Sequence, residues 1–129
     1  MRAHIIGLGD TDPWAKAGVM IRATLDPGAP NVFAMLTAGN AAGMQSRLTA
    51  GGPTNLIAGP WVNAPYWTRL VRSGSTFTAY VSPDGSNWTP VGTQTVNMDT
   101  TVLAGVAVTS HNLPTATQAT ITSLTFTPN

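Results

Sequence analysis

Hydrophobic and polar residues alternate strictly along residues 14–22, Trp-Ala-Lys-Ala-Gly-Val-Met-Ile-Arg. A period of two over this length predicts a β-strand with one buried face, because successive side chains of a strand point to opposite sides. Ala15, Ala17, Val19 and Ile21 form the predicted core face. The other face mixes a tryptophan, a lysine, a glycine, a methionine and an arginine, which is typical neither of a core nor of a solvent face. We expect it to line a partly covered groove that binds a ligand.

The rest of the chain divides into short segments of the same kind, separated by turn residues. Nine strands are predicted, at His4–Leu8, Trp14–Arg22, Val32–Thr37, Met44–Thr49, Tyr66–Arg72, Thr76–Ser82, Trp88–Val96, Val102–Ser110 and Ala119–Thr127. Residues 50–65, rich in glycine, proline and asparagine, are predicted to form a long loop. In the last strand the parity changes between Ile121 and Leu124, which predicts a bulge near Ser123.

No segment of normal length has a convincing helical pattern. Short strands at a spacing of about ten residues predict an all-β sandwich or barrel. The 129 residues fit a single domain spanning 1–129. The apolar run Val102–Ser110 is predicted to be a central strand of that domain.

Composition excludes several classes of function. Only 9% of the residues are charged, glutamate is absent, and the formal net charge is +1. The six lysines and arginines are scattered, so nucleic-acid binding is not expected. No apolar run approaches the ~18 residues of a spanning helix, so no membrane partner is expected. Cysteine is absent, which excludes disulfides and thiolate metal sites.

Three segments resemble the signature of bacterial concanavalin A-like (LamG-like) jelly-roll modules, which belong to a superfamily of lectins and glucanases. They are residues 14–22, residues 64–88 (Ala-Pro-Tyr-Trp-Thr-Arg through Ser-Pro-Asp-Gly-Ser-Asn-Trp) and residues 105–112 (Gly-Val-Ala-Val-Thr-Ser-His-Asn). The resemblance covers nearly the whole chain in the same order. It implies an all-β, antiparallel two-sheet jelly-roll sandwich of about nine strands with no substantial helix.

The same resemblance implies a role and a location. Such modules bind carbohydrate and are attached to secreted, sugar-active proteins, so an extracellular location is expected as part of a secreted or surface protein. The N-terminal residues lack the apolar h-region of a signal peptide.

The resemblance implies that the chain is shortened at its N-terminus, either because it is a truncated or engineered version or because another chain supplies the missing edge. Family members carry one or two further strands before the segment that corresponds to Arg2–Leu8. The shortening implies an uncovered edge strand, and pairing with a neighbouring chain covers such an edge. We therefore expect a homo-oligomer that forms through an open sheet edge.

A polar face across neighbouring strands is the first candidate binding site. Arg22, Gln45, Arg47 and His111 are expected on it, together with Lys16. Arginine and glutamine present several hydrogen-bond donors in fixed geometry, which suits adjacent sugar hydroxyls. The alternative is that these side chains hydrogen-bond within the protein and tie the concave sheet together.

Aromatic side chains are the second candidate, because tryptophan and tyrosine stack on the apolar C–H faces of sugars. Trp61 and Tyr66 are predicted to be exposed at the rim, since no periodicity requires Trp61 to be buried. Trp67 and Trp88 are predicted to be structural.

Metal binding, cofactors and catalysis are not expected. Asp10 and Asp12 fit turn chemistry better than a calcium site, and His4 and His111 lack a companion carboxylate or cysteine motif. Glycoside hydrolysis normally needs two facing carboxylic acids. The chain has no glutamate, and its five aspartates fall in predicted turns or loops.

The sequence therefore predicts a non-catalytic module that binds an oligo- or polysaccharide on its concave sheet and rim loops. The residues expected to bind are Arg22, Gln45, Arg47, Trp61, Tyr66 and His111. The alternative is a structural, self-associating β-sandwich with no sugar ligand. Exposure of Trp61 and Tyr66 beside the polar residues, or their burial at an interface, would distinguish the two.

Overall fold

Ten β-strands form two five-stranded antiparallel sheets in the computed structural model of the protein, which describes residues 1–127. Sheet A contains β1 (Arg2–Leu8), β6 (Tyr66–Ser73), β7 (Thr76–Ser82), β8 (Thr89–Thr95) and β10 (Ala119–Thr125), in the spatial order β10-β1-β6-β7-β8. Sheet B contains β2 (Lys16–Arg22), β3 (Asn31–Thr37), β4 (Gly43–Arg47), β5 (Thr54–Ala58) and β9 (Leu103–Thr109), in the spatial order β5-β4-β3-β2-β9. Residues 1–127 contain no helix of the length and apolar character that a membrane span requires.

The core lies between the two sheets and follows the alternation of the sequence. In β2, Ala17, Val19 and Ile21 are buried, as the pattern of residues 14–22 predicted. They pack in one cluster with inward-facing residues of the other sheet, including Leu70 and Phe77. The predicted all-β sandwich is therefore confirmed.

Gly18 is required where β2 and β3 run side by side. A Cβ atom at this position would lie 2.8 Å from the Met35 Cα and closer still to the Ala34 carbonyl. Because those are backbone atoms of the neighbouring strand, they cannot move aside without breaking the ladder. Gly18 thus allows the backbones of β2 and β3 to approach closely at this point.

The structure has one strand more than the nine predicted from the sequence. Residues 50–65, predicted to be a loop, contain β5, which pairs with β4 from Arg47↔Thr54 to Gly43↔Ala58. This strand has five residues and is mostly exposed, so it shows no strong alternation. The glycines and prolines around it mark its ends rather than a continuous loop.

The predicted central position of Val102–Ser110 is also wrong, because β9 is an edge strand paired only with β2. An apolar run shows that a strand has apolar faces, but not how many neighbours it has. By contrast, the predicted bulge near Ser123 is confirmed. Ser123 has a φ of 54°, and the register of β1 and β10 shifts between Arg2 and His4.

Candidate functional site

The outer face of sheet B carries the polar residues predicted to bind a ligand. Arg22, Asn31 and Arg47 are aligned across β2, β3 and β4 by the strand register. Gln45 lies on the same face of β4, aligned with Phe33. The strands thus bring Arg22, Gln45 and Arg47 to one end of one surface, as the sequence predicted.

The two arginines of this row bind main-chain carbonyls. Arg22 donates to Thr24 O at 2.7 Å and to Asp26 O at 2.6 Å. Arg47 donates to Gly52 O at 3.1 Å and to Pro27 O at 2.8 Å. Both guanidinium groups therefore hold the loops that follow β2 and β4, which favours the structural alternative for these two residues.

Gln45 sits in apolar surroundings. Its register partners are Phe33, which is buried, and Leu56, which is exposed. Within residues 1–127 its side-chain amide makes no hydrogen bond with another residue. A single amide among apolar side chains supplies few of the polar contacts that hold a sugar.

Lys16 lies at the opposite end of the same strands. We call this the His111 end, because the loop that carries His111 lies there too. Here the Lys16 ammonium donates to Trp14 O at 2.8 Å and lies 5.6 Å from the centre of the Trp14 ring. Burial lowers the pKa of the Lys16 side chain, and the nearby Asp12 carboxylate partly opposes that shift. Lys16 and Arg22 are the two ends of β2, six residue steps apart, a span of about 20 Å.

His111 also lies at this end, in the loop after β9. Its Nδ1 is 3.2 Å from Asp12 Oδ1, and its φ is 51°. The same Asp12 oxygen accepts a hydrogen bond from the Trp14 backbone N–H at 2.8 Å. His111 is therefore a neighbour of Lys16 and Asp12, not of Arg22 and Arg47.

Trp61 is exposed, as the sequence predicted. Its side chain is 75% accessible, in the loop between β5 and β6. That loop is held to the β3–β4 loop by hydrogen bonds from the Ala42 N–H to Pro60 O at 2.9 Å and from the Asn63 amide to Ala38 O at 3.3 Å. The Trp61 ring therefore lies on a hydrogen-bonded loop at the His111 end, far from Arg22 and Arg47.

Tyr66 does not form an exposed rim with Trp61, which corrects the prediction. It is aligned with Ile5 on the inward face of sheet A and packs against the core cluster. The parity of β6 explains this, because Tyr66 shares a face with the buried Thr68 and Leu70.

The outer face of sheet A carries an aromatic and basic cluster that the sequence did not predict. Its members are Arg2, His4, Trp67, Arg69, Tyr80 and Trp88. Trp67 and Trp88, predicted to be structural residues of the core, are instead half-buried on this outer face, where each contacts neighbouring side chains. The alternation of residues 66–72 places Trp67 and Arg69 on the outward face and was the signal available.

One side of the sandwich is closed and the other is open. On the closed side, Ile57 of β5 lies against Gly92 of β8, where a Cβ would come within 2.8 Å of the Ile57 side chain. On the open side, a cavity of about 600 Å³ lies where β9 and β10 end the two sheets. Ile21, Ala104 and Phe126 are among its lining residues.

The inward-facing side chains of β9 remain half exposed on this open side. Val106 and Val108 are 46% and 45% accessible, although their register partners Val19 and Ala17 are fully buried. Phe126, just after β10, is 52% accessible.

The two histidines of the chain, for which no metal site was expected, lie apart. His4 stacks on Trp67 in sheet A, whereas His111 lies beside Asp12. In the part of the chain that the structure describes, no three side chains of histidine, cysteine, aspartate or glutamate come together as a metal site.

Comparison with known proteins identifies the fold alone. No family model and no curated protein matches the chain. The sandwich is similar to the crystal structure of a functionally unknown protein from Saccharomyces cerevisiae, with a TM-score of 0.59 and 19% sequence identity. The match covers 97% of this chain and 69% of the yeast chain. At this identity the likeness supports the two-sheet architecture and carries no functional argument.

Proposed function

We propose that this protein is a non-catalytic module that associates with a second copy of itself through β9. The observation that carries the proposal is the exposure of Val106 and Val108 beside buried partners on β2. These side chains continue the core face of sheet B, and the sandwich itself does not cover them. A second chain would bury them and would also pair the free backbone groups of the edge.

β9 has none of the usual protective features of an edge strand, and at seven residues it is longer than the similarly uncharged edge strand β5, which has five. Its register with β2 runs unbroken from Lys16↔Thr109 to Arg22↔Leu103, and it contains no charged residue and no proline. Charge, proline, bulges and short length are the usual devices that prevent edge-to-edge pairing. β8 has Pro90 and a register shift, and β10 has two register shifts.

Antiparallel pairing of β9 with the β9 of a second copy has a simple geometry. A two-fold axis through Val106 would oppose each Val106 to its equivalent and each Ala104 to Val108. Such an interface is isologous and closes as a dimer, so it does not propagate into a fibre. The joined strands would turn two five-stranded sheets into one continuous sheet.

Light scattering after size-exclusion chromatography, at increasing protein concentration, tests this proposal. The wild-type protein is expected to form a dimer, and Val106→Lys is expected to stay monomeric because two ammonium groups would face each other at the axis. Leu56→Lys is the matched control, since Leu56 is 44% exposed on β5 at the far edge of the same sheet. A wild-type monomer at the highest soluble concentration, or dissociation by both variants, overturns the proposal.

Carbohydrate binding is the second candidate, and the exposure of Trp61 favours it. The ring projects from a loop that is anchored by main-chain hydrogen bonds, and a flat exposed indole stacks on a sugar ring. A sugar exchanges hydrogen bonds with water for hydrogen bonds with protein at little net gain, so affinity at one site would be weak, in the range of about micromolar to millimolar.

Titration of intrinsic tryptophan fluorescence with a panel of oligosaccharides tests this second candidate. A saturable shift that Trp61→Ala removes supports a sugar site. Leu113→Ala serves as the control, because it removes another highly exposed apolar side chain and should leave the shift unchanged. No response to any glycan would eliminate this candidate without affecting the dimer proposal.

A further inference from the structure

Two arginines face each other on the outer surface of sheet A. Arg2 of β1 and Arg69 of β6 are direct partners in the strand register. Like charges at directly opposed positions destabilise a sheet. Within residues 1–127 neither guanidinium forms an ion pair with a carboxylate. The two positive charges are therefore concentrated at one place, and no carboxylate among the described residues pairs with them.

Aromatic rings hold both guanidinium groups in place. The Arg2 guanidinium carbon lies 5.6 Å from the centre of the Trp67 ring, and one of its nitrogens donates to Gly85 O at 3.2 Å. The Arg69 guanidinium carbon lies 5.6 Å from the Tyr80 ring and 5.5 Å from the Trp88 ring. Cation–π contacts use the faces of the guanidinium planes and leave their N–H edges available.

The support beneath the arginines is itself fixed. The His4 and Trp67 rings are stacked, with centroids 4.5 Å apart and planes within 4°. On the loop side, Gly85 approaches Trp67 so closely that a Cβ there would lie 2.9 Å from the indole. A site built from pre-positioned side chains loses little conformational entropy when a ligand binds.

The donors of the pair are largely unused. Each guanidinium has five N–H donors. Arg2 uses one of them to donate a hydrogen bond to Gly85 O. The Arg69 side chain donates no hydrogen bond to any residue in the described range 1–127. Asp84, in the same loop as Gly85, does not compete, because its carboxylate accepts hydrogen bonds from Ser82, Ser86 and Asn87.

We propose that Arg2 and Arg69 form a binding site for an oxyanion of the carboxylate, sulfate or phosphate class. Two adjacent guanidinium forks match the oxygens of such a group and would be neutralised by it. The rings of Tyr80 and Trp88 beside Arg69 add apolar surface for the body of a ligand that carries the anion. The two side chains lie on the outer face of sheet A, and both residues also line the cavity of the open side, together with Ala104 of β9.

Binding is tested by tryptophan fluorescence and calorimetry at constant ionic strength, with sodium sulfate, sodium phosphate, glucuronate and glucose as probes. Saturable binding of at least one anion, with none of glucose, is expected. Arg69→Gln is expected to weaken it by about tenfold to a hundredfold, the usual effect of losing a charge-assisted hydrogen bond. Arg2→Gln should act in the same direction.

Arg22→Gln is the control, because it removes the same charge from a guanidinium that serves the β2–β3 loop. Arg69→Lys distinguishes a fork from a point charge, since it keeps the charge and loses the planar pair of donors. Equal binding of sulfate, phosphate and glucuronate identifies a free-anion site, and binding of glucuronate alone identifies an acidic sugar. Absence of saturable binding by every anion, or unchanged binding in both Arg69→Gln and Arg2→Gln, overturns the proposal.

Discussion

Single polar side chains in this sandwich mostly bind main-chain carbonyls of loops. Arg47 reaches Gly52 and Pro27, and Arg72 donates to Met98 O at 2.6 Å and to Asp99 O at 2.7 Å. A guanidinium with five donors can join two loop segments at once. This matters in a chain with only 9% charged residues, because few such side chains are present to hold the loops. The residue types that suit sugar hydroxyls therefore also suit loop carbonyls, and only their positions separate the two roles.

Asp84 should make stability depend on acid. Its carboxylate accepts hydrogen bonds from the Asn87 and Ser86 backbone N–H groups, and these hold its pKa well below the usual range. The ionised form is favoured in the fold, so its contribution is present above the unfolded-state pKa of about 4 and is lost as pH falls below it.

The comparison of wild type with Asp84→Asn measures this effect. The variant is expected to have a lower urea midpoint at pH 7, and the difference should shrink at pH 3. Asp99→Asn is the control, because the Asp99 side chain takes no hydrogen bond among the residues described. A difference that stays constant with pH would contradict the assignment.

Gly18→Ala should destabilise the protein by about 2–3 kcal/mol, because its Cβ would clash with the β3 backbone. Gly105→Ala is the matched control on the neighbouring strand β9. A Cβ at Gly105 meets nothing within 4 Å, so the change should stay within about 0.5 kcal/mol. Urea unfolding of both variants measures the contrast, and equal losses would show that the β2–β3 approach is looser than described.

At the scale of elements, one side of the sandwich is closed by packed side chains and the other is open. The β5–β8 side is closed by Ile57 against Gly92, whereas β9 and β10 leave an open side with a cavity of about 600 Å³. Edge strands with exposed inward-facing side chains contribute less burial than central strands of equal apolarity. The position of a strand in its sheet therefore decides what each of its side chains contributes.

The register pair Val19 and Val106 tests this directly. Val19→Ala in dilute protein should cost about 2–3 kcal/mol, because the side chain is fully buried. Val106→Ala, on the exposed edge, should cost less than about 1 kcal/mol. Urea unfolding at low concentration gives both values. A loss at Val106 that grows with protein concentration would identify β9 as covered in the associated form.

At the scale of the whole molecule, stability is expected to decrease from the middle of each sheet to its edges. β3 is buried along its full length, whereas β5, β9 and β10 are mostly exposed. Local opening follows such differences, because strands with few buried contacts separate without unfolding the rest.

Amide hydrogen exchange measures that gradient. The amides of β2, β3, β6 and β7 should exchange slowest and approach the free energy of global unfolding. Those of β5 and β10 should exchange faster, and those of β9 should become protected on association. Fast exchange in β3 would contradict the assignment of the core, and uniform exchange would indicate that the sheets open as one unit.

The sequence by itself determined the strands, their faces and several turns. The alternation around Val19, the hairpin at Ser73–Ser75 and the bulge at Ser123 are local patterns, because side-chain direction follows from a period of two. The short strand β5 was not predicted, because almost all of its residues are exposed and its sequence therefore shows no alternation of hydrophobic and polar residues.

The tertiary structure alone decided which strands are neighbours, since pairing joins segments that are distant in sequence. It placed β9 at an edge, turned Tyr66 inward and separated Trp61 from Arg47 by the length of the sheet. It also brought Arg2 opposite Arg69, although nothing near either residue in the sequence indicates the other. Local periodicity fixes which way a side chain points, but only long-range packing fixes what it meets.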